Sequence, residues 1–187
     1  LGSVSCAFYD QSRQALYAAI NYPGQIAHIA AIDVKSGSIR KIHDVKGGAL
    51  YYVSSLAYDQ SSGTLFYTTD NNKWRDLNAV NVDTGESTML IQDVRTGDLA
   101  FNQTDKSIWG VRHFIGISTL VRIPPPYKEW KQVYSLPYGK DIFDIDISPD
   151  GTRLTGALAE VNGNQKLIQL DVAKLLKGDA SNEILFD

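Results

Sequence analysis

The chain has 187 residues, of which 43% are hydrophobic and 21% charged, the balance of a folded protein and not of a disordered tail. Its formal net charge of −3 and pI near 5.6, with Lys and Arg scattered along the chain, leave no basic stripe to neutralise phosphates and so argue against a nucleic-acid partner. The longest apolar stretches are a few residues, far short of the ~20 a membrane-crossing helix needs, and one cysteine, Cys6, permits no internal disulfide and fits cytosol or periplasm equally. Because the chain opens Leu1-Gly2-Ser3 without an initiator Met or a charged-then-apolar leader, it is expected to be a mature or excised segment.

In chain order, the first strand ends at Phe8-Tyr9-Asp10-Gln11-Ser12, and the same pattern returns at Ala57-Tyr58-Asp59-Gln60-Ser61, Ala100-Phe101-Asn102-Gln103-Thr104 and Asp146-Ile147-Ser148-Pro149-Asp150. The large apolar anchors Tyr9, Tyr58, Phe101 and Ile147 are 49, 43 and 46 residues apart. Seven residues after each anchor comes the first large aliphatic residue of a second strand: Leu16, Leu65, Ile108 and Leu154. Third strands are predicted at 29–34, 77–82, 119–123 and 167–172, rich in β-formers. In the first two units they run into Lys35-Ser36-Gly37 and Asp83-Thr84-Gly85, where glycine can supply the positive φ of a tight turn. Fourth strands begin near Ile39, Ser87, Gln132 and Asn182; only 172–177 looks helical.

Four strands in sequence make an antiparallel meander, which cannot bury both faces alone and must stack on its neighbours. The expected fold is all-β: a β-propeller of four blades of four-stranded antiparallel sheet, approximately 3–52, 53–97, 98–141 and 142–187, in a single domain or part-propeller. Ser148-Pro149-Asp150-Gly151-Thr152-Arg153-Leu154 resembles the S-P-D-G-x-x-[LI] signature of TolB-like propeller repeats, relatives of the WD-repeat, and the corresponding segments 59–65 and 102–108 resemble degenerate copies. The motif's physical task is an Asp/Pro/Gly turn between strands one and two. Propellers of that family usually have six or more blades and occur as periplasmic interaction proteins or as one domain of larger peptidases and surface proteins. The resemblance therefore implies a periplasmic or cell-surface location and a segment of a larger propeller, in preference to a closed four-bladed ring.

In a propeller the loops between strands two and three emerge on one rim, together with the connections between blades. Here those loops are Asn21-Tyr22-Pro23-Gly24-Gln25, the run 70–76, His113-Phe114-Ile115-Gly116 and Glu160-Val161-Asn162-Gly163-Asn164. Tyr22, Trp74, Arg75, His113 and Phe114 are residue types enriched at interaction hot spots, and they are the candidate binding residues. Trp74 and Phe114 have an alternative task, folding back over a neighbouring blade. The insertion Pro124-Pro125-Pro126-Tyr127-Lys128-Glu129-Trp130 is either a stiff docking arm or an edge cap, the latter favoured.

Asp98 and Asp144, three residues before their anchors, are expected on innermost strands near the channel, where two carboxylates are too few for a cation. His28, His43 and His113 lack metal-ligand spacing and no G-x-S-x-G elbow occurs, so neither metal, cofactor nor catalytic residue is expected. Two readings follow: a non-catalytic module for protein or peptide interaction, or a substrate-gating propeller of a larger peptidase or other hydrolase. A propeller enzyme with its site in the channel would need more inward carboxylates, His or Arg.

Overall fold

The seven-residue offset between anchor and aliphatic residue is a cross-strand pair. In the computed structural model, which describes residues 3–45, 52–70 and 76–186, Tyr9 pairs with Leu16, Tyr58 with Leu65, Phe101 with Ile108 and Ile147 with Leu154. Each pair closes the hairpin that starts one antiparallel sheet. The sheets are β1 Ser3–Asp10, β2 Ala15–Asn21, β3 His28–Asp33 and β4 Ile39–Asp44; β5 Tyr52–Asp59, β6 Thr64–Asp70, β7 Leu77–Asn81 and β8 Ser87–Ile91; β9 Thr96–Phe101, β10 Ile108–Phe114, β11 Ile117–Ile123 and β12 Lys131–Ser135; and β13 Lys140–Ile147, β14 Arg153–Glu160, β15 Gln165–Asp171 and β16 Asn182–Phe186. Neighbours in sequence are neighbours in every sheet, the meander of a propeller blade. The short helix α1, Val172–Leu175, precedes β16 and is capped by the Asp171 side chain accepting Lys174 N–H at 3.0 Å.

The first hairpin turns are built by the side chain that ends the strand. Asp10 accepts Ser12 N–H at 2.8 Å and Arg13 N–H at 3.1 Å, Asp59 accepts Ser61 N–H at 3.1 Å, and Asn102 accepts Thr104 N–H at 2.9 Å. In the fourth blade Asp150 takes over, accepting Ser148 Oγ at 2.6 Å and Thr152 N–H at 3.0 Å; these bonds hold its carboxyl down to about 2. Between strands three and four, Gly37 and Gly85 sit at φ +70° and +77°, the conformation that the sequence required of them.

Contacts divide the chain into two compact units, Leu1–Val94 and Arg95–Asp187, each with two blades. In the first, Tyr17, Ala19 and Ile29 pack against Leu56, Tyr58, Leu65 and Val80, with the Tyr17 and Tyr58 rings 5.2 Å apart. The turn of the first blade is also clamped to the second. Tyr58 OH and Arg13 Nη1 donate to buried Asp10 at 2.6 and 3.0 Å, and Arg13 forks onto Asp83 at 3.1 and 2.9 Å. In the second unit, Trp109, Val111 and Leu120 pack against Ile142, Ile147, Leu154 and Ile168, and α1 adds Val172 and Leu175. Fully buried Trp109 satisfies its indole N–H on Ser107 Oγ at 3.0 Å.

Three of the anchors, Tyr58, Phe101 and Ile147, are buried and the fourth is not. Tyr9 is half exposed because it and Leu16 lie on the face of the first sheet turned away from the second, the face of Ala18, Ile20 and Ala30.

Candidate functional site

In the second unit, two hairpin tips and one blade-to-blade connection meet at a cleft of about 440 Å³. The β10–β11 turn supplies Ile115 and Gly116, the β14–β15 turn Val161, and the start of β13 Gly139, Lys140 and Asp141. His113 and Phe114 line it too, but as the last residues of β10; the predicted four-residue loop is a two-residue turn, and β11 starts at Ile117. Ile115 and Gly116 stand at φ +51° and +71°, positive at both central positions as in a type I′ turn.

That turn normally carries Asn-Gly or Asp-Gly, because a β-branched side chain is poorly accommodated at positive φ. Ile115 is nevertheless 79% exposed and gains little burial in return. Beside it Tyr138 is 87% and Val161 84% exposed, with Phe114 and Ile117 exposed as well. Gly139, at φ +82°, lets Val161 close over it; a Cβ there would meet Val161 Cγ2 at 2.5 Å. The rim is thus an apolar ridge above a polar floor.

On the floor, Ser118 Oγ donates to Asp141 Oδ1 at 2.5 Å and lies 3.2 Å from His113 Nδ1. With the Ser118 proton committed to Asp141, His113 Nδ1–H is the donor to Ser118. The other ring nitrogen, Nε2, is 3.8 Å from Asp98, whose Oδ1 accepts the Asp144 amide at 3.3 Å. Ser, His and Asp are side by side, but the Ser118 hydroxyl is buried and bonded to a carboxylate, so this array holds Asp141 in place and does not have the geometry of an activated nucleophile. Lys140 and Glu160 pair at 2.8 Å, and this contact raises the lysine pKa and lowers that of the glutamate. Among the described residues no group of three or more His, Cys, Asp or Glu is placed to hold a metal ion. Asp98 and Asp144, both at positive φ, stand at the bulges of their strands.

Of the sequence candidates, His113 and Phe114 are brought together here. The Phe114 ring lies against the guanidinium groups of Arg95 at 5.2 Å and Arg112 at 4.7 Å. Tyr22 belongs to the first unit, exposed and stacked on His28 at 6.2 Å. Trp74 and Arg75 lie outside the described residues. The proline-rich insertion is tied down: Tyr127 OH donates to Lys106 O at 2.7 Å, and the half-buried Trp130 ring packs on Arg112 at 4.7 Å. Sequence reasoning passed over Ser118 and Asp141, which reach the cleft from different strands, and Tyr138 in the turn before β13; none of them carries a local motif. Ile115 had a readable signal, a β-branched residue before glycine in a tight hairpin.

Four-stranded antiparallel meanders that follow one another along the chain define a β-propeller fold. Solved structures agree on the fold. TolB from Acinetobacter baumannii superposes with a TM-score of 0.76 at 12% identity, over 98% of this chain and 43% of that one. A chain of a nidogen/laminin complex gives 0.75 at 12% identity, over 98% and 65%. A puromycin-hydrolyzing peptidase of Mycobacterium tuberculosis gives 0.68 at 14%, over 98% of this chain and 28% of its own. The fold is therefore that of TolB-like propellers, and the chain spans less than half of the TolB chain it matches. No family model and no curated protein matches the sequence. No helix among the described residues is long and apolar enough to cross a membrane.

Proposed function

We propose that this chain is a non-catalytic interaction module that takes a protein or peptide on its loop rim, at the cleft of the second unit. Ile115 carries the reading: an apolar side chain held in strained backbone, largely exposed, at the lip of a cleft whose other lip is exposed Val161. His113 and Phe114 complete the surface; Tyr22, Trp74 and Arg75 are proposed as further rim contacts. The proposal includes a single four-bladed array within a longer protein, and a periplasmic or cell-surface location supported by the sequence resemblance.

Selection of displayed peptides on the immobilised chain tests this. Binders are expected to lose about tenfold or more in affinity on the Ile115→Asn variant; binders indifferent to that change would place recognition elsewhere. The second reading, a gating propeller of a larger hydrolase, is favoured by the match of nearly the whole chain to a peptidase of which it spans 28%. A hydrolase domain encoded beside the blades would support it, and a parent gene without one would remove it.

A further inference from the structure

Asp141 places a carboxylate in the cleft with one oxygen that no described residue hydrogen-bonds. Its Oδ1 accepts Ser118 Oγ and lies 3.8 Å from His113 Nδ1, while Oδ2 accepts no hydrogen bond among the described residues, and the side chain is 47% exposed. The lysine lining the same cleft, Lys140, is paired with Glu160. We propose that the cleft recognises a basic side chain, Lys or Arg, of a peptide or protein segment whose adjoining apolar residues lie on Ile115 and Val161.

This deepens the interaction reading and rests on it. Ser118 fixes the carboxylate before any ligand arrives, so little side-chain freedom remains to be lost on binding. Apolar neighbours exclude water once a segment is seated, which lowers the local dielectric and strengthens a contact between opposite charges. A cation meeting Oδ2 also replaces the hydration that this oxygen gives up. An acidic segment would instead bring a carboxylate against Asp141, with Asp98 on the other ring nitrogen of His113 adding to the repulsion.

The test is an amide NMR titration of the whole chain with three probes: Ac-Leu-Arg-Leu-NH2, the same peptide with neutral, isosteric citrulline, and Ac-Leu-Glu-Leu-NH2. The arginine peptide is expected to shift the Ile115, Ser118 and Val161 amides at about tenfold lower concentration than the citrulline peptide. That advantage should vanish in Asp141→Asn, which keeps an acceptor for Ser118. On the wild type alone it should shrink several-fold between about 0.05 and 0.5 M salt, a readout independent of any variant's folding. Equal binding of the arginine and citrulline peptides, a preference for the glutamate peptide, or an advantage that survives Asp141→Asn or high salt overturns the inference and leaves the rim reading standing. No rim shift with any of the three overturns both.

Discussion

A residue in an unfavourable conformation is informative when nothing nearby repays it. Ile115 has φ +51° and little burial, whereas asparagine adopts that region readily. Ile115→Asn is therefore expected to stabilise the chain by about 1 kcal/mol, seen as a rise of roughly 3 °C in Tm; an unchanged or lower Tm would show that the isoleucine serves packing. Asp10 is the opposite case. Burial pushes its carboxyl up, but hydrogen bonds from Ser12, Tyr58 and Arg13 outweigh that and hold it far below the usual carboxylate range. A depressed folded-state pKa contributes stability that is fully present above the unfolded value, near 3.9, and is lost as pH falls below it. Thermal scans from pH 7 to pH 2 should show Tm falling below about pH 4. Asp10→Asn should start about 2–3 kcal/mol less stable at pH 7 and fall less steeply with acid, because it leaves Tyr58 OH and Arg13 without their carboxylate. A parallel fall in both proteins would move the acid sensitivity elsewhere.

At the scale of elements, the hairpin register was legible because a seven-residue offset repeated four times fixes which residues face each other. The turns were legible because Asp, Asn and Gly have few other reasons to recur at strand ends. The bulges at Asp98 and Asp144 were not, since an extra residue in one strand leaves no trace in composition. The cores follow from alternation: Trp109 faces the fourth blade and is fully buried with its N–H satisfied. Trp109→Ala should cost about 3–5 kcal/mol, read as a lower urea midpoint with unchanged slope; a loss under 1 kcal/mol would mean that the blades pack loosely. On β16, Ile184, Leu185 and Phe186 are exposed on an edge strand, a surface prone to pairing with another chain. Light scattering should show concentration-dependent self-association that Ile184→Lys reduces, and equal association of the two proteins would contradict that.

For the whole molecule, the repeat carried the blades and the resemblance carried the kind of propeller, because both depend on turns local in sequence. The site was only partly legible. His113 and Phe114 stood out by residue type, but the cleft needs Asp141 and Val161 from a different blade, and their approach is a consequence of stacking that no single segment encodes. The Asp10–Arg13–Asp83 clamp escaped for the same reason, as its partners are 70 residues apart. Whether the rim of the second unit binds a protein or peptide is decided by the affinity of one rim-selected peptide for the wild-type chain and for Ile115→Asn. Binding is expected to be weaker by about tenfold or more in a variant that melts higher. Equal affinity in the two proteins would contradict it.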